Sequence, residues 1–178
     1  MTEHKAKNPP PFQIFRAREA MDFEESGMMH GEGPIAEAVG EASQALVDAG
    51  ILEGSKLRVL LRRPGGFSLS YAWFKSGFPL PLHSHSSPCL YFIVGGSLRI
   101  GTHELGPGDG FYLDANMPYI YTPGPDGVEV LEFRDTDSFD IRLRGRNVKW
   151  WHKALDKLKV SMQTWSRQTR PPSGIEMP

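Results

Sequence analysis

The sharpest chemical feature of this sequence is Leu82-His83-Ser84-His85, two histidines one residue apart. In an extended chain, residues two apart point to the same side. His83 and His85 would therefore aim both imidazoles at one point, where a metal ion about 2.0–2.1 Å from each nitrogen could sit. The competing reading of the same spacing is a polar strand end with exposed rings. Cys89, the one cysteine, follows closely. As a nucleophile it would need a base and a lowered pKa, which the histidines could supply; otherwise it is a small buried residue on a strand. Glu129 and Glu132, three apart on a later strand, must face opposite sides, so at most one looks inward. Glu132 is the outside choice for a supplementary ligand or base. His103, in Thr102-His103-Glu104, is expected in solvent, and Asp109, after Gly108 in a turn, is expected to bond backbone. No Walker loop, G-x-S-x-G elbow or H-E-x-x-H motif occurs.

The elements that must position these residues are legible in the hydrophobic pattern. From Lys56 onward, Leu57, Val59 and Leu61 alternate with polar partners, Pro64-Gly65-Gly66 turns the chain, and Phe67, Leu69, Tyr71 and Trp73 alternate again. Further short apolar segments follow at 90–94, 98–100, 111–113, 119–121 and 128–133, with Gly or Pro in nearly every gap. Such spacing predicts an all-β barrel or sandwich. Its aromatics (Phe67, Tyr71, Trp73, Phe74, Tyr91, Phe92, Tyr112, Tyr121) must supply both core and pocket wall. Ahead of it, Ile35, Val39, Ala42 and Leu46 form one helical face, with Pro34 suited to the first turn and Gly50 to the stop. After it, Asn147 could cap a helix bearing the apolar stripe Val148, Trp151, Leu155, Leu158, Met162 and Trp165. A stripe of that size should cover the barrel or a second copy. Residues 1–32 read as an arm or loose wrap, and Arg167 onward as a frayed tail. Gly31-x-Gly33-x-x-Ala36 imitates a dinucleotide fingerprint, but Asp22–His30 is too polar for the strand that should precede it. The organisation is thus an arm and helix over 1–54, a barrel over 55–145, and a helix and tail over 146–178.

Composition narrows the functions available. In 178 residues, 20 Lys and Arg stand against 21 Asp and Glu, for a net charge of −1. That balance leaves no electrostatic footprint for nucleic acid or for a polybasic membrane binder. One cysteine excludes an intramolecular disulfide and any multi-cysteine zinc site. No run approaches the roughly 18 apolar residues of a membrane span, and Met1-Thr2-Glu3-His4-Lys5 lacks the apolar core of a signal peptide. A soluble, cytoplasmic protein without nucleic-acid or membrane partners is expected.

Gly77-x5-His83-x-His85, followed by Gly96, resembles the first motif of the cupin superfamily, G-x5-H-x-H-x3/4-E-x6-G. The second, G-x5-P-x-G-x2-H-x3-N, aligns as Gly108-x5-Asp114-x-Asn116-x2-Tyr119-x3-Pro123, mainly in its turn pattern. The resemblance spans roughly Lys56 to Arg134. It implies a double-stranded β-helix, a jelly-roll-like barrel with helical decorations at both ends, whose mouth holds a divalent metal.

The family's ligands are two histidines and a glutamate from the first motif and a histidine from the second. His83 and His85 are kept; the glutamate position falls on Cys89 and the second-motif histidine on Tyr119. Tyr119 is then the expected third ligand, or with Cys89 a catalytic group, and iron or zinc the expected ion. Thiol dioxygenases resemble the chain in a cysteine near this position, and bacterial sulfoniopropionate lyases in a tyrosine beside the metal. The leading expectation is a metal-dependent enzyme on a small organic molecule, of dioxygenase or other oxidoreductase type, with lyase and isomerase open. The alternative is a non-catalytic cupin that has lost its metal and binds or senses a small molecule. A homodimer is expected, and a structural dimerisation module is the third reading.

Overall fold

The computed structural model describes residues 10–33, 35–145 and 147–178; the expected roles of Met1–Lys5 and of Pro34 lie outside them. Glycine- and proline-punctuated segments form ten strands: β1 (Met21–Asp22), β2 (Met29–Gly31), β3 (Ser55–Arg62), β4 (Ser68–Phe74), β5 (His83–Ser84), β6 (Cys89–Ile100), β7 (His103–Leu105), β8 (Gly110–Leu113), β9 (Thr122–Arg134) and β10 (Phe139–Leu143). The larger sheet has the order β1-β3-β4-β9-β6-β7, with β8 also on β6; the smaller is β2-β10-β5. Every pairing is antiparallel except β2 with β10. The all-β, jelly-roll-like reading holds. Among the described residues the two sheets share a core without one continuous ladder closing them into a barrel.

Residues 21–31 are not a loose arm. Met21 pairs with Val59, Met29 with Phe139, and Phe23 and Met28 are buried with Val59 and Phe139 in a second small core. The sequence there is polar in composition, but its few apolar side chains are the ones the smaller sheet needs.

Helix α1 spans Glu37–Asp48 and buries Val39 and Leu46, while Ile35 lies outside it and exposed. Gly50 ends it with φ of 92°, a left-handed conformation that costs glycine nothing. Helix α2 spans Val148–Trp165, with the Asn147 side chain accepting from the Lys149 N–H at 3.0 Å. It buries Trp151, Ala154, Leu158 and Trp165 in the same cluster as α1 and the sheet residues Ala72, Phe74 and Ile93. Most of the predicted stripe is therefore covered within the chain, so it no longer argues for a dimer. Trp165 stacks on Phe78 with centroids 6.0 Å apart and donates from Nε1 to the Ser76 carbonyl at 2.9 Å. A Cβ on Gly54 would collide with its ring.

On β4 both faces are buried, all seven residues of it. Ala72 and Phe74 enter the main core, whereas Tyr71 and Trp73 lie on the other face beneath residues 169–177. The tail that reads as frayed is docked. Replacing Trp165 by alanine should lower stability by about 3–5 kcal/mol, as for large aromatics elsewhere. Equilibrium urea unfolding measures this, and a loss below about 1 kcal/mol would mean that α2 is not part of the cooperative core.

Candidate functional site

The site is assembled by backbone pairing. His83 and Tyr119, 36 positions apart, form an isolated antiparallel bridge: each N–H donates to the other's carbonyl, at 3.2 and 2.9 Å. Two residues on, the Asn116 N–H donates to the His85 carbonyl at 2.7 Å. Asn116 has φ of 64°, a left-handed conformation that asparagine tolerates better than most residues. The turn before Tyr119 is thereby stitched to the histidine strand. His83 and Tyr119 rings stand 4.3 Å apart between centroids, and His83 and His85 rings 5.0 Å apart. As the two-residue period requires, both histidines line one cavity of about 180 Å³ between the sheets.

Each imidazole is held through Nδ1 by a backbone carbonyl: His83 by Pro81 at 2.8 Å and His85 by Asp140 at 2.7 Å. A carbonyl only accepts, so Nδ1 carries the proton and Nε2 is the bare nitrogen in the neutral ring. His85 Nε2 lies 3.2 Å from the Tyr119 hydroxyl, which is 2.5 Å from the Tyr91 hydroxyl. Arg134 Nη2 donates to Tyr91 at 3.3 Å. Because the bare His85 Nε2 can only accept, Tyr119 must spend its one hydrogen there, and the hydroxyls fall into one order. Tyr91 donates to Tyr119, and Tyr119 donates to His85. Among the described residues no hydrogen bond reaches His83 Nε2.

The electrostatics keep His85, Tyr119 and Tyr91 neutral beside a charged Arg134. Burial, with the nearby Arg134 charge, holds His85 down to about 4, and burial likewise lowers His83. Burial and the Glu132 carboxylate push Tyr119 well above the usual phenol range. Arg134 is 2% exposed; burial opposes its charge, but Glu132, accepting from Nη1 at 2.5 Å, outweighs that and keeps it protonated. The guanidinium carbon lies 3.9 Å from the Phe139 ring centroid.

The sequence-named residues divide clearly. His83, His85, Tyr119 and Glu132 come together around the cavity. Cys89 is buried on β6 outside its lining, and burial, reinforced by Glu132, raises its thiol to about 12, unsuited to a nucleophile. Glu129 faces the other way, His103 is exposed, and Asp109 accepts from the Gly106 N–H at 2.9 Å. Arg134 and the linking role of Tyr91 were not foreseen. Counting in twos along β9 from Val128 reaches Val130, Glu132 and Arg134, so the inner-row charges were available in the sequence.

The divalent ion implied by the resemblance is poorly matched by these donors as arranged. The Tyr119 hydroxyl bonds to His85 Nε2 instead of converging with it on a third point, and Cys89 stays protonated. Glu132, the one carboxylate at the cavity, is neutralised by Arg134. Two neutral nitrogens remain, where a stable site generally takes three or four ligands. No group of three His, Cys, Asp or Glu among the described residues has metal-holding geometry.

No protein-family model matches the chain. No curated protein matches it significantly. Among solved structures it is similar to the polyketide cyclase RemF from Streptomyces resistomycificus, at 17% identity over 59% of this chain and 84% of that one, TM-score 0.49. It is also similar to an RmlC-like cupin from Shewanella frigidimarina, at 18% identity over 47% and 77%, TM-score 0.41. A third is salicylate 1,2-dioxygenase from Pseudoaminobacter salicylatoxidans, at 11% identity over 61% and 36%, TM-score 0.45. These are likenesses of fold alone. Among the described residues no helix is long and apolar enough to cross a membrane.

The depressed histidines make stability depend on pH with a definite sign. His85 titrates at about 4 when folded, against 6.5 unperturbed, so between those values the unfolded chain binds more protons. Its contribution is complete above pH 6.5 and is lost as pH falls towards 4, on the order of 3 kcal/mol in all. His83 adds in the same direction. Unfolding free energy measured from pH 7 to 4.5 should fall with acid, and His85→Gln, which does not titrate, should fall less steeply than wild type.

Proposed function

We propose that this protein is an enzyme of the cupin kind that transfers protons on a small organic molecule held between its sheets. The observation that carries the reading is the bare His83 Nε2 at the cavity, opposite a hydrogen-bonded file of Arg134, Tyr91, Tyr119 and His85. A neutral, desolvated imidazole with its proton fixed on Nδ1 is suited to act as a general base. It would accept a proton from substrate carbon or oxygen at Nε2. Tyr119 could take a second proton at its oxygen only while passing its own hydrogen to His85 Nε2, so those two residues would act as one relay, with Tyr91 holding the hydroxyl in place.

Size and walls restrict the substrate. An apolar cavity of about 150 Å³ accommodates benzene, so about 180 Å³ suits one substituted ring or an open chain of similar bulk. Phe23, Phe74, Phe78, Tyr121 and Phe139 line the apolar side. Isomerisation and elimination need only the proton movements described. The oxygenase-type reaction expected from the sequence needs metal ligands that this arrangement does not supply, so lyase or isomerase chemistry is the better supported reading. A non-catalytic binding site is the second, favoured by the aromatic enclosure alone.

The two separate on one experiment. A panel of single-ring hydroxy-carbonyl compounds is screened by thermal shift, and each binder is followed by proton NMR in D2O. Wild type should exchange a substrate C–H, and His83→Gln should bind within about threefold as well but exchange at least roughly a hundredfold more slowly, the usual scale of general-base catalysis. Binding without exchange leaves the binding reading. Untagged protein grown with added iron and zinc should carry neither in stoichiometric amount. A full complement, lost when His83 and His85 are both replaced by alanine, would overturn the metal-free mechanism.

A further inference from the structure

Glu129 is fully buried on the face of β9 away from the cavity, and proton transfer there makes no use of it. Its carboxylate accepts three hydrogen bonds: from the Tyr71 hydroxyl at 2.7 Å, the Ser173 hydroxyl at 2.7 Å and the Ser173 N–H at 2.5 Å. Two of the three come from the C-terminal segment. Beside it, β6 carries Gly95 and Gly96. A Cβ on Gly95 would collide with the Glu129 carboxylate and approach the Ser173 nitrogen to 2.8 Å, whereas one on Gly96 would first collide with the Gly127 carbonyl of the neighbouring strand and only then meet the Pro172 ring at 3.1 Å. Gly95 thus leaves out a side chain where Glu129 and the segment meet, while Gly96 answers to its own φ of 69° and to the sheet.

The rest of the crossing is held by a side chain of the sheet and by backbone of its flanking loop. Lys56 Nζ donates to the Met177 carbonyl at 2.6 Å, and the Ser76 N–H donates to Gln168 Oε1 at 2.9 Å. Tyr71 and Trp73 wall a groove of about 310 Å³ against residues 169–177. Backbone-directed bonds, a glycine-cleared floor and aromatic walls are the means by which proteins hold extended peptides. Besides the Gln168 side chain at its start, the sequence-reading contact is a hydroxyl after proline, set against a carboxylate.

We propose that this outer face is a peptide-docking groove selective for an extended Pro-Ser segment uncharged at the serine, and that residues 169–178 of the chain are its self-supplied, displaceable occupant. A negative charge at position 173 would stand against the buried Glu129 carboxylate, with no cation bonded there to compensate it among the described residues. Neutral serine is accepted and an anion refused. Held in cis, the segment works at an effective concentration in the millimolar range, so a free peptide competes only when the chain's own copy is released.

The test uses the full chain and its Ser173→Asp variant. Trypsin cleavage after Arg167, followed by intact mass, reports release of the segment. A fluorescein-labelled peptide with the sequence of residues 167–178 reports the vacated groove by anisotropy. Ser173→Asp should be cut about tenfold faster and bind the peptide about tenfold more tightly than wild type, the scale of losing a hydrogen bond to a charged group. The same peptide with aspartate at the serine should not bind. Ser173→Ala, which loses one bond and gains no charge, should be cut at an intermediate rate and guards against misfolding of the aspartate variant. Equal cleavage of all three chains would overturn the proposal. So would faster cleavage without peptide binding, or equal binding of the serine and aspartate peptides.

Discussion

A guanidinium enclosed by protein is the constraint around which the interior is arranged. Arg134 is 2% exposed, and a charge so placed must be paired or the fold loses several kcal/mol. Glu132 supplies the opposite charge, the Phe139 ring lies under the guanidinium, and the Tyr91 hydroxyl accepts a hydrogen bond from it. Each partner comes from a different stretch of chain or from the next-but-one position on β9. That one cation therefore ties the two sheets together and anchors the hydroxyl file whose direction the bare His85 Nε2 sets. Its charge also opposes protonation of both histidines. Removing the charge would change the site's chemistry and its stability together.

Strand β9 carries chemistry on both faces. Its inner row runs from Val128 and Val130 to Glu132 and Arg134 at the cavity, and its outer row presents Glu129 to the C-terminal segment. The strand is central, paired with β4 on one side and β6 on the other, which suits it to carry buried charges. Its backbone groups are satisfied by the ladders, so side-chain partners can be devoted to the carboxylates and the guanidinium. The same centrality leaves both faces in need of cover. The smaller sheet covers the Glu132–Arg134 end of the inner face, the two helices share the core with Val128 and Val130, and the tail covers part of the outer face.

The sequence was informative where a local period or a local cap governs. The two-residue period put His83 and His85 on one side, separated Glu129 from Glu132, and the structure has both arrangements. Asn147 and Gly50 marked helix ends because capping and left-handed backbone are properties of a few neighbouring residues. The period failed on β4, where Leu69, Tyr71 and Trp73 look like a core row and Tyr71 and Trp73 lie under the tail. A strand apolar on both faces gives no sign of which face meets the core. The arm and tail were misjudged for a related reason: a polar segment with few apolar anchors looks loose until the surface it docks on is known.

By itself, then, the sequence determined an all-β chain flanked by two helices, with a histidine pair on one face of a short strand. These follow from spacing within about a dozen residues. Only the tertiary structure decided what that pair does. It closed the bridge that brings Tyr119 beside His83, and it set Arg134 against Glu132 so that the carboxylate is already neutralised. It also used the Tyr119 hydroxyl on His85. Those are contacts between residues far apart in the chain, or choices among hydrogen-bond partners in a confined, poorly hydrated space. Burial fixes them by making every unpaired polar group costly, and burial is a property of the packed whole.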